Sequence, residues 1–309
     1  MSIGDDCALL RLRTGEELAV TTDLSIAGRH FQLEWHSPEA IGHRTLARGL
    51  SDLAAMGARP VAAFLSLGLP PQIVGRWLNR FLDGFFALAD ANKTPLAGGD
   101  LAESPAAVAD IVLIGAVHRS RALLRSGARP GDLLYVTGQL GGASAGLAQL
   151  KKLAEGRHKR ASKSKPVREL RIPPDLEDTL QPHLSPQPRL AQGQYLARHS
   201  LATAAIDLSD GLSTDLAHLC NESGVAAELD AAALPIHSAA NLAQALHGGE
   251  DYELLFTAPP SARIPRNIAG VPVTRIGRMV RARADRPQIM LVTQSRSRPL
   301  ESRGWEHFS

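Results

Sequence analysis

The sequence predicts a mixed α/β fold (α+β, with mixed sheets) in two parts, and three observations point there. At 309 residues the chain exceeds the usual size of one domain. Apolar runs of strand length alternate with longer stretches of helical period. The breaks between them are rich in Gly and Pro, 27 and 20 in all, the residues that tight turns require. Aromatic residues make up only 4%, so Ala, Leu, Val and Ile must build the cores.

Taken in order, Ala19 to Asp23 reads as a strand. Pro38 to Gly57 reads as a helix because Ile41, Leu46, Leu50, Leu53 and Met56 recur near helical spacing. That register leaves Asp52 off the apolar stripe. Gln72 to Ala91 is a second helix, with paired apolar residues at Ile73/Val74, Trp77/Leu78, Phe81/Leu82 and Phe85/Phe86. Gly98-Gly99-Asp100 follows a short extended run, and the near-continuous apolar segment Ala109 to Val117 is a buried strand. The basic, turn-rich stretch from His118 to Pro130 marks a boundary, giving domains at 1–120 and 121–309. Beyond it, Leu133 to Thr137 is a strand and a Gly-rich turn opens a helix. Leu190 to Arg198 is a helix, Ala204 to Leu208 a strand and Leu212 to Glu222 a helix. Strands at Tyr252 to Thr257, Val273 to Met279 and Ile289 to Thr293 complete the pattern.

Charge distribution narrows the function classes. The chain carries a formal net charge of +3, yet residues 151–171 alone hold nine Lys or Arg against Glu155 and Glu169. The positive charge is therefore local, and the rest of the chain is acidic. The run Gly156 to Pro166 reads as a solvated, mobile loop, because no aromatics interleave for base stacking. A nucleic-acid partner is disfavoured on that ground. No apolar stretch approaches the roughly 18 residues of a membrane span, and no secretory pattern is present. A cytoplasmic location follows, in which Cys7 and Cys220 are expected as free thiols.

Six acidic clusters set among Gly, Ser or Thr carry the chemistry. They are GDD (Asp5, Asp6), TTD (Asp23), LSD (Asp52), GGD (Asp100), DLSD (Asp207, Asp210) and GGED (Glu250, Asp251). Small neighbours let the backbone turn tightly and approach a ligand. A single Asp in such a setting is more often a turn residue or helix cap. Six with the same grammar point instead to hard cations and phosphate, since Mg²⁺ is usually held by one or two carboxylates plus substrate oxygens.

Other motifs fail. There is no GxxxxGK[ST], HExxH or CxxC. Gly142 to Gly146 matches GxSxG, with His218, His237 or His247 to complete a triad, but no strand runs directly into Ser144 as a nucleophile elbow requires. A small-residue helix start that packs closely or faces phosphate is the better reading.

GDDCALL, TTDLSIAGRHF, LSDLAAMGARP, GGD, LLRSGARPGDLLYVTGQLG, PQPR, AIDLSDGL, GGEDYELLFT and GWEHF, in this order, resemble the thiamine-monophosphate kinase family, within the superfamily of aminoimidazole ribonucleotide synthetase. The resemblance covers almost the whole chain and implies that two-domain fold, with N-terminal sheets pairing in a homodimer. It also implies phosphoryl transfer from ATP to thiamine monophosphate without a protein nucleophile. Asp6, Thr21, Asp23, Asp52, Asp100, Asp207 and Asp210 would hold several Mg²⁺ ions, with Thr22 lending its backbone carbonyl and room for a monovalent cation. Gly99, Asp100, Arg125 and Ser209 match positions that contact ATP. His30, Glu250 and Trp305 match positions around thiamine, where Trp305 offers a face to the cationic ring. Asp5 and Asp251 receive no role. The family usually shows Lys and Asn where Arg44 and Gly49 stand, an acidic residue at Gly142 and Thr at Leu101. It also carries a segment ahead of GDD, whose absence here points either to a misplaced start or to a weakened enzyme. The alternatives are another ATP-dependent member of the superfamily or a degenerate, non-catalytic nucleotide-binding paralogue.

Overall fold

A computed structural model describes residues 7–160, 170, 172–294 and 296–304, with side chains of α3 described through residue 156. Two sheets organise them. In the first, β1 (Glu16–Ile26), β4 (Val108–His118), β2 (Arg59–Leu69) and β3 (Leu96–Glu103) lie in the order β1-β4-β2-β3. The β2/β3 pair is parallel and the others antiparallel. Helices α1 (Pro38–Ala55) and α2 (Arg76–Ala91) cover one face of this sheet.

Ser37 caps α1 through a 3.2 Å bond from the Ala40 N–H to its Oγ, and Pro38 occupies the first turn, where its missing donor costs nothing. The two helices touch at Gly42 and Gly84, where any Cβ would fall 1.9 Å from the Phe81 carbonyl oxygen or 2.0 Å from that of Glu39. The second helix starts at Arg76 rather than at the expected Gln72. Pro71–Ile73 forms a separate 3₁₀ turn, and Gly75, at φ 98°, breaks the chain before α2. Strand β2 has no counterpart among the elements expected from the sequence.

The second sheet runs β12-β11-β7-β10-β5-β8-β6, with β9 pairing to β10 at its side. Its strands are β5 (Leu133–Thr137), β6 (Ala204–Asp207), β7 (Val225–Asp230), β8 (Leu254–Ala258), β9 (Asn267–Ile268), β10 (Val271–Arg281), β11 (Ile289–Val292) and β12 (Ser297–Pro299). Its helices are α3 (Gly142–Arg160), α4 (Glu177–Leu184), α5 (Leu190–Arg198), α6 (Leu212–Ser223) and α7 (Leu242–His247). Leu216 and Leu219 of α6 and Leu246 of α7 share one core with Leu134 and Leu255. Leu196 of α5 packs with Phe256 and Ala205 on the opposite face. Strand β8 is thus buried along its whole length.

The first half of the basic segment departs from expectation. Helix α3 carries on through Lys151 and Lys152 to Arg160, so the start of the presumed 151–171 loop is helical. Residues 161–169 and 171 lie outside the described residues. No helix among the described residues is long and apolar enough to cross a membrane. Cys7 is exposed and Cys220 buried, both as free thiols.

Helix α1 joins the two sheets. It packs on β1 and β4, meets α5 where Gly193 lies against the Ala54 carbonyl oxygen, and reaches β6 through a 2.7 Å bond from Ser51 Oγ to Asp207 Oδ2. A cleft opens between this helix and the loops that follow β6 and precede β8.

Candidate active site

The cleft has a volume of about 700 Å³, within the range of small-molecule sites. Strand β1 supplies its first wall. Odd-numbered residues of β1 face α1 and even-numbered ones face outward, as the burial alternation requires. Thr21 Oγ1 therefore reaches Asp52 Oδ2 at 2.5 Å, and Asp23 Oδ1 accepts from Arg48 Nη2 at 2.6 Å. Thr22 points the other way and donates to Asp110 at 3.1 Å on the outer face.

The loop after β6 supplies a second wall. Asp207 ends the strand, fully buried, and Ser209 and Asp210 follow into the cleft. The Asp210 and Gly211 N–H groups both donate to Asp215 Oδ2, at 3.1 and 3.0 Å, which fixes the turn into α6. The loop before β8 is fastened alongside by Glu250 N–H to the Ser209 carbonyl and Tyr252 N–H to the Leu208 carbonyl. Glu250 and Tyr252 both adopt left-handed backbone, φ 68° and 50°. Such strain in non-glycine residues persists only where surroundings over-determine it, and it clusters at functional sites.

Two groups of side chains line the cleft, and they adjoin where the Glu250 N–H meets the Ser209 carbonyl. In one, Asp23, Asp52, Asp207 and Asp210 gather, with Arg125 close enough to bias Asp52 and Asp207 electrostatically. Burial, with the Asp52 charge adding to it, pushes the Asp207 carboxyl up to about 7. Burial also raises Asp52, with Asp23 adding to the shift, and together with Asp207 and Asp210 it takes Asp215 to about 8. Carboxyls that resist ionising together are a site prepared for positive charge.

In the other group, Glu250 accepts from Arg44 Nη2 at 2.6 Å and His30 lines the wall, its Nδ1 accepting from the Ile26 N–H at 3.0 Å. Behind Glu250, Arg44 Nη1 donates to both the carbonyl and Nδ1 of His183. His183 Nε2 lies 3.0 Å from His36 Nε2, and His36 Nδ1 accepts from the Gln32 N–H at 3.1 Å and lies 3.2 Å from the Gln32 carbonyl oxygen. Burial, followed by the Arg44 charge, lowers both imidazoles, His36 to about 3. His183 is therefore neutral, and its 3.5 Å approach to Glu250 Oε2 is not an ion pair.

A pH prediction follows from that pair. The folded-state value of His36 lies below its ordinary 6.5, so the stability present above pH 6.5 is lost as acid protonates the unfolded chain first. The loss is about 1.4 kcal/mol per pH unit for one such group, or about 2 kcal/mol between pH 6.5 and 5. The stability advantage of the wild type over His36→Gln, measured by urea unfolding, should shrink by that amount across the interval. Taking the difference cancels the raised carboxyls, whose contribution has the opposite sign.

Several sequence-derived candidates lie elsewhere. Asp100 and Gly99 sit in β3, where the register places Asp100 in a row with Ser66, Asp110 and Leu24 on the outer face of the first sheet. Asp100 Oδ1 accepts from the Leu101 N–H at 2.8 Å. Gly99 needs to be Gly, since a Cβ would fall 1.9 Å from the Leu65 carbonyl oxygen. Asp6 and Trp305 lie outside the described residues. The chain leading to Trp305 is nevertheless tied to the site: Gly304 N–H donates to Thr214 Oγ1 at 2.9 Å, beside Asp210.

Other residues acquire roles the sequence reading did not assign. Asp251 accepts from the Gly141 and Ala143 N–H groups at 2.6 and 3.0 Å, so an internal carboxylate caps the start of α3. Asp251 thus takes two of the N–H groups at this helix start, and close packing is present, Gly146 lying against the Thr179 carbonyl oxygen and His183 Cβ. Of the histidines considered for a triad with Ser144, His247 is instead bonded through Nδ1 to Ser213 Oγ. Arg44 and Arg48 were recoverable from sequence: with Asp52 they recur every fourth residue on a helix, which places them on one face.

Mg²⁺ is the cation that the resemblance implies, and the donor set suits it. Asp carboxylates and hydroxyls are hard oxygen ligands, and burial, with neighbouring carboxylate charge adding to it, raises Asp52 and Asp207. Among the described residues no three His, Cys, Asp or Glu converge on one point. The carboxylates are offered singly and in pairs, as befits an ion completed by substrate oxygens.

Comparison with known proteins places this geometry. The profile of AIR synthase related protein, N-terminal domain, matches residues 4–117, and that of its C-terminal domain matches 129–289. Thiamine-monophosphate kinase of Escherichia coli K12 is 39% identical across 100% of this chain and 92% of its own. The chain belongs to the thiamine-monophosphate kinase family. Thiamine-monophosphate kinase from Stenotrophomonas maltophilia K279a has a solved structure 37% identical, with a TM-score of 0.78 over 95% of this chain and 90% of that one. AaThiL complexed with AMPPCP and TMP is 30% identical, with a TM-score of 0.79 over 96% and 89%.

Proposed function

We propose that this protein transfers the γ-phosphoryl group of ATP directly to the phosphate of thiamine monophosphate, giving thiamine diphosphate and ADP. The observation that carries the reading is one cleft lined by two groups of side chains. One group presents Asp52, Asp207 and Asp210 with Arg125 nearby, and the other presents Glu250 and His30. A relative of like fold holds an ATP analogue and TMP together.

The acceptor is a phosphate monoester with a second pKa of about 6, so near pH 7 it is already largely an anionic nucleophile. The difficulty is bringing two polyanions into line. Mg²⁺ ions, when bound, supply charge neutralisation and alignment for a loose transition state. Asp23, Asp52, Asp207 and Asp210 would hold them, with Thr21 orienting Asp52 through its 2.5 Å bond. Asp6, Asp100 and the Thr22 carbonyl remain assigned to metal and Gly99 to ATP by resemblance. Arg125 and Ser209 would face ATP, and Glu250, His30 and Trp305 the thiamine cation. Incubation with ATP, Mg²⁺ and thiamine monophosphate should yield thiamine diphosphate. Single-turnover experiments with labelled ATP should trap no phosphoenzyme; a phosphoenzyme would overturn direct transfer.

The proposed assembly is a homodimer through the first sheet, whose domain we place at 1–120 with the second at 121–309. Support comes from the outer face of β1, where Leu18, Val20 and Leu24 are 51%, 60% and 45% exposed. A sheet face so apolar is a site for association. Leu18→Glu with Val20→Glu should convert the dimer to a monomer in light scattering; an unchanged mass would move the interface elsewhere.

A further inference from the structure

Arg44, Arg48 and Asp52 follow one another at intervals of one helical turn along α1, so all three side chains meet the cleft region on one face. Arg44 holds Glu250, and Asp52 belongs to the carboxylate group. Arg48 stands between them and has no part in the reading so far.

Its guanidinium has five N–H donors. Among the described residues it makes one hydrogen bond, from Nη2 to Asp23 Oδ1 at 2.6 Å. Nε is buried with no partner among them, while the side chain, 14% exposed, forms part of the cleft wall. Leaving a buried donor unpaired is costly, and a Leu or Met on this helix would fill the same space without that cost. Like any guanidinium in a protein it stays charged, and Asp23 accepts from it directly. A fixed, planar cation with unused donors in a cleft wall matches a phosphate, whose several oxygens fit the guanidinium fork.

Position along the helix indicates which phosphate. Arg48 lies about 6 Å along the axis from Arg44, four residues at 1.5 Å each. A thiazolium ring resting against Glu250 carries its phosphate on a short two-carbon arm, a reach comparable with that one-turn spacing.

We infer that Arg48 binds the phosphate monoester of thiamine monophosphate through the donors that Asp23 leaves unused, with Asp23 setting the orientation of the guanidinium. This rests on the thiamine-monophosphate kinase reading. The test is calorimetric binding of thiamine monophosphate, thiamine and AMPPCP to the wild type, Arg48→Met and Arg48→Lys, with melting curves to check folding. Arg48→Met should weaken thiamine monophosphate by about 30-fold or more, the scale of truncating one partner of a desolvated charge pair, while thiamine and AMPPCP bind as before. Arg48→Lys, which keeps the charge and loses the fork, should fall between and carries the same test should the Met variant not fold. Unchanged affinity for thiamine monophosphate overturns the assignment. Equal loss of thiamine overturns it too, because Arg48 would then only shape the cleft, and selective loss of AMPPCP would assign Arg48 to the nucleotide. Failure of the kinase reading looks different: the wild type itself would bind no thiamine monophosphate, and the assignment would fall with it.

Discussion

Asp52→Asn is expected to lower kcat by on the order of 10³-fold, the scale of removing one preorganised electrostatic contact, while the fold becomes no less stable. Asn keeps the shape of Asp and an oxygen for the Thr21 hydroxyl, which now donates at 2.5 Å. What disappears is a charge that its surroundings resist. Burial raises Asp52, with the Asp23 charge contributing, and Asp207, held near 7, feels the Asp52 charge in turn. A carboxyl raised above its unfolded value of 3.8 contributes stability that is complete in acid and is lost as pH rises through 7. Removing the Asp52 charge therefore softens the wild type's loss of stability between about pH 4 and 7. Turnover assays at saturating Mg²⁺ and thermal melts across that range check both parts. Retained turnover with unchanged Mg²⁺ dependence would sink the assignment.

The largest expected effect on stability is at Arg189→Met. Glu253 is 3% exposed, and Arg189 grips both its oxygens at 2.6 Å from Nε and Nη2. Only Thr137 Oγ1, at 2.6 Å, would remain to the buried carboxylate. Breaking such a pair costs about 3–5 kcal/mol, because one charge is left buried without compensation. The damage should spread to the site, since Glu253 anchors the segment in which Glu250 and Tyr252 hold left-handed backbone and its carbonyl accepts from the Leu208 N–H. Denaturant unfolding should show the loss, and KM for thiamine monophosphate should rise more than KM for ATP. A loss below about 1 kcal/mol would mean that Glu253 finds water or protonates without penalty.

How much could be read in advance depended on whether the relevant physics was local. Leu133–Thr137 and Leu190–Arg198 were read with the bounds they have, because the apolar pattern and flanking turns specify them within a few residues. Strand β7 and helix α4 were not read. The first is a short run continuous with α6, and the second contains Pro182, a residue that argues against a helix. Asp251 illustrates the same limit at the site. Its GGED neighbours are those of a ligand-facing carboxylate, yet it caps a helix 110 residues away in sequence.

The sequence by itself determined the kind of chemistry: carboxylates in tight turns, no nucleophile or P-loop motif, and an order of clusters shared with one kinase family. These are properties of short segments, and turn geometry and oxygen-ligand preference act over such lengths. Tertiary structure decided which carboxylates meet. Thr21 finds Asp52 across 31 residues, Ser51 finds Asp207 across 156 and Arg44 finds Glu250 across 206. Strand register sends Asp23 into the cleft and Thr22 and Asp100 to the outer face, because successive side chains of a strand take opposite sides. Packing of α1 against both sheets then brings Arg44, Arg48 and Asp52 to one wall. Charges so distant in the chain acquire raised or lowered proton affinities only once folding has removed the water between them.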